Sequence, residues 1–348
     1  RRCGRRLTRP AGPLTVRGNA TLRLDNATNA SNARLADSGL VILAGGRLDL
    51  VGNATSEAAG ALRSFGAGAI TISGTGTNTL TFASVDSQFF TSGQGGLDLS
   101  GITGLGSTAR VILTGLSAGL MPKVYVGGGD FATYDAVNGV RALASSSYSA
   151  ATDINAAASS DVLRVTSSVA EDLTGSRTLR ALALTDASGI DMSGSSRAAL
   201  NLVSGAVLAS GGGNHVISVP KIVLQSTSLM STAATTTLTM PSTAGLSVGQ
   251  AVSGTGIPGG AFITAIPSAT TVTLSAAATG SGLVPVTVFA PAVVQVAAAT
   301  SLDLQGSIVS NNALFKAGPG TLQLSGRQFV GGDVTVAGGT LRMGAGQL

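Results

Sequence analysis

The residues that could perform chemistry are few in this sequence, and they stand apart from one another. Cys3 is the only cysteine and His215 is the only histidine. His215 follows the glycine-rich segment Gly211–Asn214, which could display a base, but no nucleophile with a partner accompanies it. A single cysteine supplies neither a disulfide framework nor a thiolate metal site. We therefore predict no catalytic residue, no metal site and no cofactor.

The acidic residues are also dispersed. Glycoside hydrolysis needs two carboxylates facing one cleft, and calcium-dependent lyases need a cluster of aspartates with a basic residue. Glu171–Asp172 is the only adjacent acidic pair, and it precedes a Thr-Gly turn. Single acids alternate with Leu, Ile or Met at Asp25, Asp49, Asp98, Asp191 and Asp303. This alternation predicts outward, solvated positions and no catalytic role.

Two further motifs bear on ligand binding and modification. Gly127–Asp130 has the composition of one calcium nonapeptide turn, but that motif binds metal only in tandem, and here it stands alone. Asn-x-Ser/Thr triplets begin at Asn19, Asn26, Asn29 and Asn53. Because such triplets arise by composition in a chain rich in Asn, Ala and Thr, we expect no glycosylation.

The charge balance argues against a nucleic-acid partner. The chain has 21 basic and 16 acidic residues. The excess comes entirely from the five arginines of a basic leader over residues 1–13, which we predict to be disordered. A basic arm can bind phosphates or acidic lipid. The remaining body is neutral and does not interleave aromatic residues with Arg or Lys, as a nucleic-acid surface would.

Short alternating strands separated by glycine or asparagine dominate the chain. Leu14–Arg17, Arg47–Val51 and Ala69–Ser73 are examples in which one face is aliphatic and the other polar. Almost no segment between these strands has the apolar periodicity of an amphipathic helix. The possible folds are therefore a β-sandwich, a β-barrel or a β-solenoid. Aromatic residues make up only 3% of the chain, and the strand-turn unit recurs about every 20 to 30 residues. This pattern predicts an all-β fold, a right-handed parallel β-helix over residues 14–227 and 301–348.

A separate all-β insertion is predicted over residues 228–300. No charged residue occurs between Ile222 and Leu302. Five prolines and scattered glycines interrupt the segment before about 20 apolar residues accumulate, so we predict no membrane span. Ala142–Ser160 lacks a clear period and is predicted to be a corner loop or a short helix.

The last coils resemble a known repeat. Lys316–Gly326, followed by Gly331–Leu341, is similar to the autotransporter-associated β-strand repeat, with its lysine, glycine step, Gly-Thr-Leu-x-Leu-Ser-Gly strand and closing Gly-Thr-Leu. Arg327–Val330 departs from it, because the family usually carries Asn and Tyr there. The resemblance implies a passenger segment of a very large bacterial surface protein, with a translocating barrel elsewhere in the full protein.

These observations predict a non-catalytic structural or adhesive stalk segment of an autotransporter-like protein, at the cell surface, in the outer membrane or outside the cell. The expected partners are a host or matrix surface, or a second copy through the solenoid ends. Residues 228–300 and Ala142–Ser160 are the expected contact surfaces. The alternatives are a polysaccharide-active β-helix lyase or hydrolase, and a phage tail-fibre segment, which would form a stable trimer.

Overall fold

The computed structural model describes residues 12–29, 31–86, 95–151, 153–167, 171–224, 226–232, 235–243, 246, 248–280, 282–289, 292–310 and 312–344. The structure is all-β, with 52% of residues in strands and 2% in helices, and its parallel coils form a β-solenoid of about 13 turns. The predicted fold class is therefore confirmed. Residues 1–11 of the predicted basic leader lie outside the described residues.

The first stack of coils, here called the N lobe, contains two parallel sheets. One has the strand order β1-β3-β5-β7-β9 and the other β2-β4-β6-β8-β11. The strands are β1 (Leu14–Arg17), β2 (Thr21–Asp25), β3 (Val41–Ala44), β4 (Arg47–Asn53), β5 (Ser56–Phe65), β6 (Ala69–Thr75), β7 (Asn78–Val85), β8 (Leu97–Asp98), β9 (Ala109–Leu113), β10 (Gly119–Leu120) and β11 (Val124–Tyr125).

Alternation of side chains builds the core of this lobe. On β4, Leu48 and Leu50 are fully buried while Asp49 between them faces outward. Leu50 lies beside Ile72 in the next coil, so aliphatic side chains stack one above another along the lobe. Each coil buries its apolar face against its neighbours, which makes the stability of a coil depend on the coils beside it.

An antiparallel hairpin closes the last coil of the N lobe. It consists of β12 (Ala132–Asp135) and β13 (Gly139–Ala142), and β12 also pairs with β10. The Tyr134 hydroxyl donates to the carbonyl of Leu113 at 2.8 Å and accepts the Leu113 N–H at 3.3 Å. This hairpin therefore satisfies polar groups on β9, the last strand of its ladder, which would otherwise be a template for pairing.

The second stack, the C lobe, begins with the strands β14 (Val162–Val165), β15 (Glu171–Leu173), β16 (Arg177–Leu184), β17 (Asp191–Gly194), β18 (Ala199–Ala209), β19 (Asn214–Ile217) and β20 (Lys221–Val223). The long strand β18 turns a corner: its first part pairs with β20 and its last part with β27 (Ala292–Val296). The lobe continues as β28 (Ser301–Leu304), β29 (Ser307–Ser310), β30 (Leu314–Ala317), β31 (Thr321–Leu324), β32 (Gln328–Val330), β33 (Val334–Val336) and β34 (Thr340–Met343).

The insertion predicted over residues 228–300 corresponds to a six-stranded antiparallel sheet between β20 and β27. The predicted end is too late, because β27 (Ala292–Val296) pairs in parallel with β18 and β30 and belongs to the solenoid. Its strands are β21 (Ser226–Thr232), β22 (Thr237–Thr239), β23 (Ala251–Gly254), β24 (Ile263–Ser268), β25 (Thr271–Leu274) and β26 (Gly282–Phe289). Val248 and Phe262 of this module join the core of the N lobe, and the Gln250 side chain donates to the Val203 carbonyl of the C lobe at 3.0 Å. The module therefore joins the two lobes.

The segment Ala142–Ser160, predicted to be a corner loop or short helix, contains two 3-10 helices, Ser145–Ser147 and Ile154–Ala156. Ile154 is fully buried in the core of the C lobe. The Ile154 N–H donates to Glu171, and the Asn155 side chain bonds to Thr174 at 3.0 Å. This segment covers the first coil of the C lobe, much as the hairpin covers the last coil of the N lobe.

The two lobes pack against each other through the outer face of β27 and β30. Val293, Phe315 and Ala317 form one cluster with Tyr125 of the N lobe. The Gln295 side chain donates to the carbonyls of Pro122 at 2.7 Å and Val124 at 3.1 Å. The turns are thus divided between two packed stacks and do not form one uninterrupted ladder.

Candidate functional site

His215, the one histidine that could act as a base, is a structural residue. Its side chain is 1% exposed. Nδ1 accepts the Ile190 N–H at 3.1 Å, so Nε2 carries the proton and donates to the Ser210 carbonyl at 2.9 Å. Burial lowers the pKa of His215 below its usual value. The imidazole therefore joins neighbouring coils in its neutral form.

The scattered acids lie singly along the coils. Asp25 is exposed and contacts Arg23, and Asp49 accepts the Thr71 hydroxyl at 2.8 Å. Asp303 accepts the Ser325 hydroxyl at 2.7 Å. These carboxylates bond to side chains on their own sheets and face outward, as the alternation predicts.

The adjacent acids Glu171 and Asp172 do not form a pair. They alternate across β15, and Glu171 accepts the Ile154 N–H at 3.3 Å while Asp172 accepts the Ser193 hydroxyl. Burial raises the pKa of Glu171. Across the described residues, no group of three or more His, Cys, Asp or Glu side chains comes together in a metal-binding arrangement.

The glycine-rich segment Gly127–Asp130 serves the packing of the lobes. Asp130 accepts hydrogen bonds from Tyr148 and Arg164, and the Arg164 guanidinium lies 3.6 Å from the centre of the Tyr148 ring. The carboxylate that a calcium turn would use is thus engaged in a cation–π and ion-pair cluster.

The triplet asparagines are distributed over the first coils, with Asn19, Asn29 and Asn53 exposed. Asn26 is fully buried, and its amide donates to the Ser31 carbonyl at 2.8 Å. A glycan could not be attached to Asn26 in the folded chain.

A groove at the junction of the lobes brings together side chains that are distant in sequence. Its inner section, about 190 Å³, lies between the lobes. The N lobe lines it with Asp98, Ser100 and Tyr125, among others, and the C lobe with the corners Ala317–Pro319 and Ala337–Gly339. We call this section and its extension along the N lobe the junction groove.

The outer section of the junction groove, about 410 Å³, runs over the corners of the first N-lobe coils. It is lined by Asn19–Thr21, Gly45–Arg47, Ala67, Ala69 and Asp98. Ala67 and Asp98 line both sections, so the two sections adjoin at these residues. Asp98, which the alternation predicts to be merely solvated, lies where the two sections meet.

The groove holds polar groups that are left available for a ligand. One Asp98 oxygen accepts the Ser100 N–H at 2.8 Å, which fixes the carboxylate at the turn. Within the described part of the chain, no hydrogen bond or ion pair engages the guanidinium of Arg47 or the hydroxyl of Tyr125. Burial and the nearby Asp98 charge raise the pKa of Tyr125, so the phenol stays protonated and can donate.

Asp98 was predicted from the sequence to be an outward, solvated acid. The proximity of Arg47, Tyr125 and Phe315 to Asp98 was not predicted. Local sequence patterns contain no signal for their proximity, because Phe315 reaches the groove through the packing of the lobes. A side chain at Gly96 would overlap the Phe315 ring, so the docking itself requires a glycine there.

Two of the three lysines are buried, and the Lys316 ammonium lies behind the inner wall of the junction groove. Lys316 is fully buried, in the inward row between Val294 and Val336. Its ammonium donates to the carbonyls of Ala317 at 3.1 Å, Gly318 at 2.5 Å and Gly338 at 2.8 Å. Burial lowers the pKa of Lys316 to about 8 and that of Lys123 to about 7. The Lys316 ammonium therefore ties one coil corner to the next.

Comparison of the chain with protein-family models, with curated proteins and with solved structures yields no match. The resemblance of Lys316–Leu341 to the autotransporter-associated repeat therefore stays a prediction. In the described residues, no helix has the length and apolar character needed to cross a membrane.

Proposed function

We propose that this chain is a non-catalytic stalk segment of a large bacterial surface or secreted protein of the autotransporter type. The observation that carries the proposal is the stacking itself: parallel ladders follow one another in register, and most of the buried side chains are apolar. Ser301, Thr321 and Thr340, for instance, lie side by side in three successive coils. Such stacking makes a stiff spacer that presents outward side chains.

The segments that cover the ends of the lobes support a role as a stable, protease-resistant spacer. The hairpin with Tyr134 covers the N lobe, the segment with Ile154 covers the C lobe, and the antiparallel module contacts both. Covered edges reduce unwanted pairing and protect the backbone from proteases. Both predicted contact surfaces, residues 228–300 and Ala142–Ser160, thus have parts that pack inside the molecule. We therefore prefer the junction groove as the adhesive surface.

The polysaccharide-active enzyme is the weaker alternative. Hydrolysis of a glycosidic bond uses two carboxyl groups, about 5 to 10 Å apart. Asp98 is the one carboxylate among the described residues that line the junction groove. The lining supports binding better than it supports general acid and base chemistry.

Surface location can be tested by labelling, because the lysines differ in exposure. The sequence has three lysines, of which Lys123 and Lys316 are buried and Lys221 is exposed. A membrane-impermeant amine-reactive biotin applied to intact producing cells should label Lys221, detected by mass spectrometry. The Lys221→Arg variant is the matched control and should lose this label. Labelling only after lysis, with protection from added protease on intact cells, would contradict the proposal.

Self-association is the proposed partner interaction of the terminal coil. Val334, Val336 and Met343 are 49%, 44% and 55% exposed and would be covered by a further coil or a second copy. Sedimentation of the purified chain should show concentration-dependent association that Val336→Asp weakens. Val137→Asp, at a 73% exposed site on the hairpin turn, is the control. A stable trimer, unaffected by Val336→Asp, would favour the tail-fibre alternative.

A further inference from the structure

We propose that the junction groove binds a neutral oligosaccharide chain. This inference rests on the adhesive part of the proposed function and names its ligand class. The groove has two adjoining sections, of about 190 Å³ and about 410 Å³, which share Ala67 and Asp98 in their lining. An extended ligand of several linked units fits this shape better than one compact molecule does.

The hydrogen-bonding groups of the groove match hydroxyl ligands. The Asp98 carboxylate accepts, the Arg47 guanidinium donates, and the Asn19 amide and the Tyr125 hydroxyl do both. A sugar hydroxyl is both donor and acceptor, so one type of ligand group satisfies all four. Asp98 is held in place by the Ser100 N–H and does not need to reorganise when it binds.

The charge of the lining favours a neutral ligand. The described residues that line the groove include one carboxylate, Asp98, and one guanidinium, Arg47. The Lys316 ammonium behind the inner wall is fully buried, and the carbonyls of the wall already accept its hydrogen bonds. Phosphate or carboxylate ligands are usually recognised by several cationic groups, and the approach of an anion here would bring it close to Asp98. A cationic ligand would meet Arg47 in the same way.

The walls of the groove allow a sugar ring to approach the backbone. Gly45 and Gly66 have φ of +76° and +56°, in the left-handed region that favours glycine. Gly45 lines the outer section, whereas Gly66 lines the inner section together with the C-lobe corner glycines Gly318, Gly338 and Gly339. The absence of side chains at these corners keeps the groove open.

A peptide is less well matched to the same groove. Arg47, Ala69 and Asp98 lie on strands that already pair on both sides, so they offer no free edge for an added strand. Tyr125 and Phe315 are only 4% and 1% exposed, so neither offers an open aromatic face to an anchor side chain.

The test is direct binding of defined oligosaccharides to the purified 348-residue chain. The probes are neutral β-1,4-linked hexamers of glucose, of N-acetylglucosamine and of mannose, with a galacturonic acid hexamer as the acidic comparison. Saturation-transfer NMR detects contact, and calorimetry gives the affinity. We expect at least one neutral hexamer to bind and the acidic hexamer to bind more weakly.

Two variants assign the binding to the groove. Asp98→Asn keeps the oxygen that accepts the Ser100 N–H but loses the charge, and it should weaken binding at least tenfold. Ala67→Leu narrows the groove where its sections meet and should also weaken binding. Asp191→Asn, at an exposed acid without a hydrogen bond among the described residues, is the control and should bind normally.

Three outcomes would overturn the inference: no hexamer binds the folded chain, binding is unchanged in both groove variants, or a peptide library binds there instead of the glycans. These outcomes leave the stalk proposal standing, because Lys221 labelling on intact cells tests it separately. Conversely, groove-dependent glycan binding by a chain that stays inside cells would refute the surface location alone.

Discussion

The hydroxyls of the three tyrosines of this chain differ in their hydrogen bonds. Their Phe variants therefore test whether these bonds stabilise the covered ends of the lobes. Tyr134 is 2% exposed, and its hydroxyl makes two hydrogen bonds to Leu113, whose backbone lies on the last strand of its ladder. Tyr134→Phe removes both bonds without changing the ring packing. The Leu113 carbonyl keeps one long contact, from the Leu116 N–H at 3.4 Å, while the Leu113 N–H loses the hydroxyl that accepts its hydrogen bond.

The expected loss in free energy of unfolding is about 2 kcal/mol. A net hydrogen bond contributes about 1 kcal/mol, and a buried donor left without a partner costs about 1 to 3 kcal/mol. We take a value near the lower end of the combined range, because the N–H bond at 3.3 Å is long and the carbonyl remains partly satisfied.

Tyr148 and Tyr125 supply the comparisons. The Tyr148 hydroxyl accepts the Phe131 N–H at 3.1 Å and contacts Asp130 at 3.3 Å, so Tyr148→Phe should cost about 1 to 2 kcal/mol. Tyr125→Phe removes a hydroxyl with no hydrogen bond among the described residues and should change stability by less than about 0.5 kcal/mol.

The measurement is urea unfolding followed by circular dichroism, together with hydrogen exchange of the Leu113 amide. Exchange separates a local opening of the last N-lobe coil from global unfolding. If Tyr134→Phe unfolds at the same urea concentration as Tyr125→Phe, and the Leu113 amide stays equally protected, the hydrogen bonds do not cap the coil and the reasoning fails.

Three further predictions concern single buried groups. Because burial lowers the pKa of His215, the unfolded chain binds a proton that the folded chain does not, and stability should fall as pH drops below 6.5. His215→Asn should lack this part of the pH dependence, measured as urea midpoints between pH 5 and 7. Burial also lowers the pKa of Lys316 to about 8, so stability should rise between pH 8 and 9.5. Lys316→Met should make that rise less steep, with the remainder due to Lys123, whose pKa burial lowers to about 7. An identical slope in both chains would refute the assignment. In Gly306→Ala the new Cβ would overlap the Val219 carbonyl oxygen, whereas Gly175 has open space around it. Thermal unfolding should therefore show a loss of several degrees for Gly306→Ala and almost none for Gly175→Ala.

The solenoid could be predicted from the sequence because its signal is local. In Arg47–Asn53 and Ser301–Leu304, residues two apart point to the same face, so apolar alternation identifies the buried side directly. The insertion was recognisable for a similar reason, since a long stretch without charged residues differs from the coils on both sides of it.

The caps were harder to predict, because they depend on single side chains at a distance. Nothing around Tyr134 indicates that its hydroxyl meets the backbone of Leu113. Ala142–Ser160 has no period that could reveal Ile154 as a core residue of the C lobe. His215 has the sequence context of an exposed base, yet stacking places it between two backbone groups of neighbouring coils.

The sequence by itself determined the strands and their inward faces, since each follows from neighbouring residues. Only the tertiary structure decided that the coils form two stacks, and that Arg47, Asp98 and Tyr125 share one groove beside Phe315. Stacking depends on contacts between neighbouring coils, and each coil makes the same kind of contact. The docking of one stack on another depends on individual contacts, such as the Phe315 ring over Gly96, between residues that no periodicity connects.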